Sequence, residues 1–209
     1  MNTKENAQGT RRRSHFIEVL GIGVSIADQT GRTILGRLGL MILMAWLFLG
    51  VPDLDHLFLS ILHHRSILTH SILPGLVFLL LGRGFGAAPI AGAMIGISVH
   101  LACDMLSPMV GFGQVWLPAP IKAPLGPFSY LWLAGNALIG YGIAFIIASM
   151  TLPSAIALPF IIALSGITGA AYGALNEQSM ASVGVSIFFP AIAGFFIWWR
   201  QRMRSDANS

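Results

Sequence analysis

The sequence predicts an all-α, polytopic membrane helix bundle of about six transmembrane helices with both termini cytoplasmic. Three observations lead there. Hydrophobic residues make up 55% of the chain and charged residues only 10%, whereas soluble domains carry about 25% charged residues. Mean hydropathy is +0.76. The apolar residues also fall into runs near the ~20 residues that a helix needs to cross a bilayer. Short breaks rich in Gly, Pro and Arg separate these runs.

Residues 1–32 read as a basic N-terminal segment. The stretch HFIEVLGIGVSIA within it carries Glu18 and has no small-residue cleavage site, so it is not a signal peptide. It is short for a span and is expected to lie as an interfacial amphipathic helix over 14–27. Residues 33–209 form the transmembrane bundle. The first span runs from Thr33 to Pro52, with Arg37 near its start snorkelling to the headgroups. A polar-studded helical segment follows over 53–71. The apolar run SILPGLVFLLLG at 71–82 is long enough to cross if its helix begins near His64. RGFG at 83–86 makes a turn, and AAPIAGAMIGISVHLACDML at 87–106 is the next span. The segment 107–127 is too rich in Pro and Gly for a continuous helix, and its Trp116 and Lys122 suit an interface. Three more spans follow: FSYLWLAGNALIGYGIAFIIASM, AIALPFIIALSGITGAAYGA and ASVGVSIFFPAIAGFFIWW.

Charge sets the orientation. Lys4, Arg11, Arg12, Arg13, Arg32, Arg83, Arg200, Arg202 and Arg204 fall on one side, which the positive-inside bias makes cytoplasmic. Asp53, Asp55, Asp104 and Glu177 fall on the other, with Arg65 and Lys122. The pI near 9.8 does not imply nucleic acid, because the basic residues sit at chain ends and short loops rather than on one face. The single cysteine, Cys103, excludes an internal disulfide framework.

The chemistry concentrates in VPDLDHLFLSILHHRSILTHS, Val51 to Ser71, where two aspartates, four histidines and an arginine interrupt an apolar chain. His56, His63 and His70 recur every seven residues and would share a stripe on a helix. A straight helix would spread them over about 20 Å, too far for one ion, so a break within 57–69 is needed to gather them. His100 and Asp104, at i and i+4, face one way and suit a single metal. Imidazole and carboxylate together favour zinc or a similar first-row divalent ion. A membrane histidine alone is usually a hydrogen-bonded packing residue, and Pro-Asp is often an N-cap. The convergence of so many ionisable groups on one face instead marks a functional site. Cys103 points about 100° away from Asp104 on a helix and is left out of the ligand set.

These residues resemble a known pattern. PDLDH, then HR followed by THS, then H-x-x-x-D and the GFGQVWLPAP segment are similar to the YdjM-type family of bacterial inner-membrane proteins, described as membrane-bound metal-dependent hydrolases. The resemblance covers about 51–120 and implies Asp53, Asp55, His56, His64, Arg65, Thr69, His70, His100 and Asp104 as motif positions. The family's HRGxTHS is one residue shorter than HRSILTHS here, with Ser66 at the glycine. That leaves open whether His63 or His64 faces the site.

The expectation is then a multi-pass protein of the bacterial inner membrane with a divalent metal, zinc first and manganese or iron as alternatives, at the periplasmic mouth of the bundle. Asp55, His70, His100 and Asp104 are the first-choice ligands, with His56 and His64 next. Asp53 would orient a ligand or act as base, Thr69 would support it by its hydroxyl, and Arg65 would bind an anionic group of the substrate. The substrate class is a membrane-accessible ester or phosphoester, a lipid or other small molecule. Ser71 as a nucleophile beside His70 is weaker, because adjacent helical residues do not face each other. An ion- or proton-coupled transporter is one alternative, although such sites lie near the midplane. A structural or regulatory membrane protein with a closed metal site is the other.

Overall fold

The computed structural model describes residues 27–206 apart from 178, together with residue 25. Most of the interfacial helix expected over 14–27 therefore lies outside the described residues. The architecture is all-helical: α1 (Ile34–Leu49), α2 (Leu73–Leu81), α3 (Ala87–Asp104), α4 (Phe128–Ser149), α5 (Ser154–Tyr172) and α6 (Ala181–Asp206), with a 3-10 helix at Pro52–Phe58. Five segments are long and apolar enough to cross a membrane: Ile34–Phe58, Ala87–Asp104, Phe128–Ser149, Ala155–Asn176 and Ala181–Arg200. Leucines, isoleucines and phenylalanines such as Leu35, Leu47, Leu131, Ile146, Ile167 and Phe195 point outward, as lipid-facing positions must. The protein is a membrane helix bundle.

α3 is the axis of the bundle, with 94% of its residues buried. Its composition explains this, since Ala, Gly and Ser recur along AAPIAGAMIGISVHLACD and let neighbouring backbones approach closely. A Cβ on Gly92 would lie 2.4 Å from the Met41 carbonyl oxygen, and one on Gly96 would lie 2.2 Å from that of Ala45. These two contacts lock α1 against α3. Gly140 brings α4 equally close to Ser98 on another side of α3.

The sequence expectation of about six spans meets five helices of spanning length. The second pass is made by α2, which has only 9 residues, or about 14 Å of rise against a hydrocarbon core of about 30 Å. Its helix begins at Leu73, with Pro74 in the first turn, rather than near His64. Between the 3-10 helix and α2, residues 59–72 form turns, so the polar segment 53–71 is not a continuous helix. α2 packs through Gly75 on Met94 of α3.

Contacts between the ends of the helices show their alternating direction. Arg37 near the start of α1 donates to the carbonyl of Thr151 just past α4. Tyr172 at the end of α5 meets Asp104 at the end of α3. Gly194 of α6 packs on Leu158 near the start of α5. The chain thus crosses the bundle back and forth, and both described ends lie at the Arg37 end. The opposite end carries the polar cluster. There the irregular segment 107–127 is stitched to residues 61–67 by backbone hydrogen bonds. Ile67 N–H donates to Trp116 O at 2.8 Å, Trp116 N–H to Arg65 O at 2.9 Å, and Ala119 N–H to Ile61 O at 2.9 Å.

Candidate metal centre

The centre is assembled from three pieces of chain that meet at this end: the 3-10 helix after α1, the turn 63–71, and the last turn of α3. Pro52 has no N–H, so α1 cannot continue through it. The chain tightens into the 3-10 helix Pro52–Phe58, in which residues i and i+3 lie one above the other. Asp53 and His56 therefore share the outward face, with side chains 43% and 54% exposed, while Asp55 turns inward and is fully buried. The break also leaves the Leu49 carbonyl without a helical donor. The His100 Nδ1 lies 2.8 Å from that oxygen, and a carbonyl only accepts, so Nδ1 carries a proton and Nε2 is turned toward the cluster.

His70 is fixed in the same sense. Its Nδ1 lies 3.2 Å from Asp55 Oδ2, which also accepts from Ser66 N–H at 3.1 Å and Thr69 Oγ1 at 3.0 Å. The Trp132 indole of α4 donates to the His70 carbonyl at 2.9 Å, and Asn136 Oδ1 accepts from Ile72 N–H at 2.9 Å. Together they hold the turn on the bundle. Burial keeps the His70 imidazole below its ordinary pKa, against the opposing pull of Asp55 and Asp104. Burial thus favours the neutral imidazole, and Nδ1, against the Asp55 carboxylate, is the nitrogen that holds a proton.

Both Nε2 atoms point at one place. They are 3.4 Å apart, and Asp104 Oδ2 lies 3.3 Å from His70 Nε2 and 3.4 Å from His100 Nε2. Asp53 Oδ1 approaches from the exposed side, 3.8 and 3.7 Å from the same two nitrogens. Asp104 Oδ2 is buried without a hydrogen-bond partner. Two imidazole nitrogens and two carboxylates thus face one place, a donor set that suits a divalent cation. With zinc–nitrogen bonds of about 2.0–2.1 Å, tetrahedral ligand atoms sit about 3.3–3.4 Å apart. The spacing of the His70, His100 and Asp104 atoms matches that edge, and Asp53 stands slightly outside it. Asp53, His70 and His100 form one group able to hold a metal ion, and Asp53, His56 and His64 form a second.

The expected i, i+4 pairing of His100 and Asp104 is met. Asp53 and Asp55 are arranged differently from expectation. Asp55, expected as a ligand, places Oδ2 on Nδ1 of His70 and turns Oδ1 toward His56 and His64, and Asp53, expected as an orienter or base, faces the two Nε2 atoms. Arg65 was expected to bind a substrate anion. Its guanidinium is instead buried, 3.2 Å from Asp104 Oδ1, and donates to Gly113 O at 2.6 Å and Ser107 Oγ at 3.1 Å. Its φ of 54° is left-handed, a conformation that costs a non-glycine residue about 1 kcal/mol and that the backbone pairing with Trp116 imposes. Thr69 reaches Asp55 rather than the convergence point. Of the adjacent pair, His64 faces Asp55 at 3.6 Å, while His63 stacks on Trp116 with ring centroids 4.1 Å apart. Ser71 donates to Leu68 O at 2.8 Å. Cys103 faces Ser186, away from the cluster.

Several contributors have no local sequence signal. Tyr172 Oη is 3.4 Å from Asp104 Oδ1, and its ring meets that of His100 edge-on at 4.9 Å. Ser107, Trp132 and the Leu49 carbonyl are equally ordinary in sequence. Comparison of the chain with known protein families, with characterised proteins and with solved structures finds no match.

Proposed function

We propose that the protein is a membrane-bound, metal-dependent hydrolase whose divalent ion, zinc first, is held by His70, His100, Asp104 and Asp53. One observation carries this reading: two buried histidine nitrogens and a buried carboxylate oxygen meet at 3.3–3.4 Å. A bound ion supplies Lewis-acid polarisation and acidifies water. The chain's own residues do the rest. Asp55 and the Leu49 carbonyl hold the Nδ1 protons and so aim both imidazoles. Arg65 and Tyr172 engage Oδ1 of Asp104, leaving Oδ2 for the ion. Manganese or iron would be accepted by the same mixed donor set.

Three sides of the centre are buried, and the fourth is the half-exposed Asp53 face. Substrate reaches the ion there. Leu54, Leu57, Phe58, Leu59 and Ile61 around that face are all exposed, an apolar rim suited to the acyl boundary of a bilayer. The substrate is accordingly an ester or phosphoester whose apolar part stays in the membrane, and the resemblance to YdjM-type proteins over 51–120 points the same way. By the positive-inside bias this face is periplasmic.

The test is metal content of detergent-purified protein by mass spectrometry, beside a His100→Ala/Asp104→Ala variant, followed by hydrolysis assays on vesicle-borne esters and phosphoesters. Bound zinc or manganese that the variant loses, with hydrolysis that follows metal content, is expected. Folded protein that takes up no divalent ion after reconstitution sinks the proposal. Metal binding without hydrolysis of any lipid ester would support the structural metal-site alternative.

A further inference from the structure

Resting on that reading, we infer that the centre holds a second divalent ion, bound by His56, His64 and Asp55 and joined to the first through Asp53. Asp53 belongs to both groups whose ligand atoms could hold a metal, one with His70 and His100 and one with His56 and His64. The second group lies outward of the first, because His56 and His64 are 54% and 23% exposed while His70 is fully buried.

The unpartnered polar atoms of the cluster mark the second place independently. Asp55 Oδ1 and His64 Nδ1 are both buried without a hydrogen-bond partner and face each other at 3.6 Å. Were His64 Nδ1 protonated and satisfied by Asp55, the two atoms would close to about 2.8–3.0 Å. They stand at ligand–ligand spacing instead. The His56 Nδ1 lies 2.9 Å from the Asp53 carbonyl oxygen, so that nitrogen carries a proton and Nε2 is the ligating atom. The two imidazole rings lie 4.4 Å apart, tilted at 47° to each other.

Asp55 then has two duties, one for each oxygen. Oδ2 holds Ser66, Thr69 and the Nδ1 proton of His70, and Oδ1 faces the outer ion. Asp53, the one carboxylate between the groups, is the bridge. Paired ions of this kind clamp both the attacking and the leaving oxygen in displacement at phosphorus or at an acyl carbon.

The experiment is metal stoichiometry of the full chain in detergent, loaded with manganese and then freed of loose ions, measured by mass spectrometry together with electron paramagnetic resonance. Wild type is expected to carry about two ions per chain and a spin-coupled manganese signal. His56→Ala/His64→Ala, which alters only partly exposed side chains, is expected to keep about one ion and to show an uncoupled signal. One ion in both proteins, or two in both, overturns the second site and leaves the first intact. No ion in either overturns both this inference and the metal-dependent reading beneath it. Melting curves of the apo-proteins establish that the variant is folded.

Discussion

Replacing Asp55 with alanine removes a carboxylate whose Oδ2 accepts from Ser66 N–H at 3.1 Å, Thr69 Oγ1 at 3.0 Å and His70 Nδ1 at 3.2 Å. Thr69 has a second acceptor in the Ser66 carbonyl at 3.2 Å, so its hydroxyl can turn there. The Ser66 amide is then left buried and unsatisfied, at about 1–3 kcal/mol, while the His70 Nδ1 proton keeps only the long contact to Thr69 Oγ1 at 3.3 Å. The apoprotein should lose about 1–3 kcal/mol. Zinc affinity should fall about 10–100-fold, or roughly 1.4–2.8 kcal/mol, because His70 loses the partner that fixes its tautomer and direction. Asp55→Asn keeps an acceptor of the same shape. It should stay close to wild type in stability while still losing about tenfold in zinc affinity. Competition against a chromophoric chelator measures the affinities, and melting curves with zinc or with excess chelator separate folding from binding. A folded Asp55 variant that binds zinc as tightly as wild type would refute the assignment of Asp55 as the support of His70.

Arg65→Met should destabilise the protein by about 3–5 kcal/mol, because it leaves the buried Asp104 carboxylate short of a cation. Arg65→Lys should recover little of this, since an ammonium cannot reach Asp104, Ser107 and Gly113 as a fork does; melting temperature checks both. Gly96→Ala should cost about 1–3 kcal/mol by forcing α1 away from α3, whereas Gly39→Ala, with nothing within 4 Å of the new methyl, should be neutral or stabilising by up to about 1 kcal/mol. Equal melting temperatures for the two would refute the close-packed account of α3. Zinc affinity should fall with pH, because both imidazoles must be neutral to bind. Burial lowers the His70 value, so protons begin to compete at His70 only below the ordinary histidine value of about 6.5. Affinity measured from neutral to mildly acidic pH checks the direction, and a rise on acidification would exclude histidine ligation.

Much of the fold was legible because lipid imposes a local rule. A crossing helix must be apolar for its full length and must satisfy its own backbone, and such runs stand out at Ile34–Phe58 or Phe128–Ser149 without knowledge of any neighbour. The second pass was harder to read. α2 is embedded beside α3 and needs no full-length apolar helix of its own, so hydropathy alone overstated it. The site was legible as a place and in part as a geometry. His100 and Asp104 sit on a regular helix, where spacing gives direction. Asp53 and Asp55 do not, because their directions depend on the chain adopting three residues per turn after Pro52. His63 and His64 differ only in the rotation of an irregular turn held by Trp116.

By itself, the sequence determined that this chain lives in a membrane as helices, where its apolar runs lie, and that Asp53, Asp55, Asp104 and the histidines of 56–100 gather at one end of the bundle. These follow from transfer free energies and from charge, which act residue by residue. Only the tertiary structure decided which atoms face each other. The exchange of places between Asp53 and Asp55, the commitment of Arg65 to Asp104 and the approach of Tyr172, 68 residues away along the chain, all arise from packing. α1, the histidine turn and α5 converge on the end of α3 because Gly92 and Gly96 let α1 come close and α4 grips the turn through Trp132 and Asn136. A ligand set drawn from segments that distant is a property of that contact surface, and no local pattern encodes it.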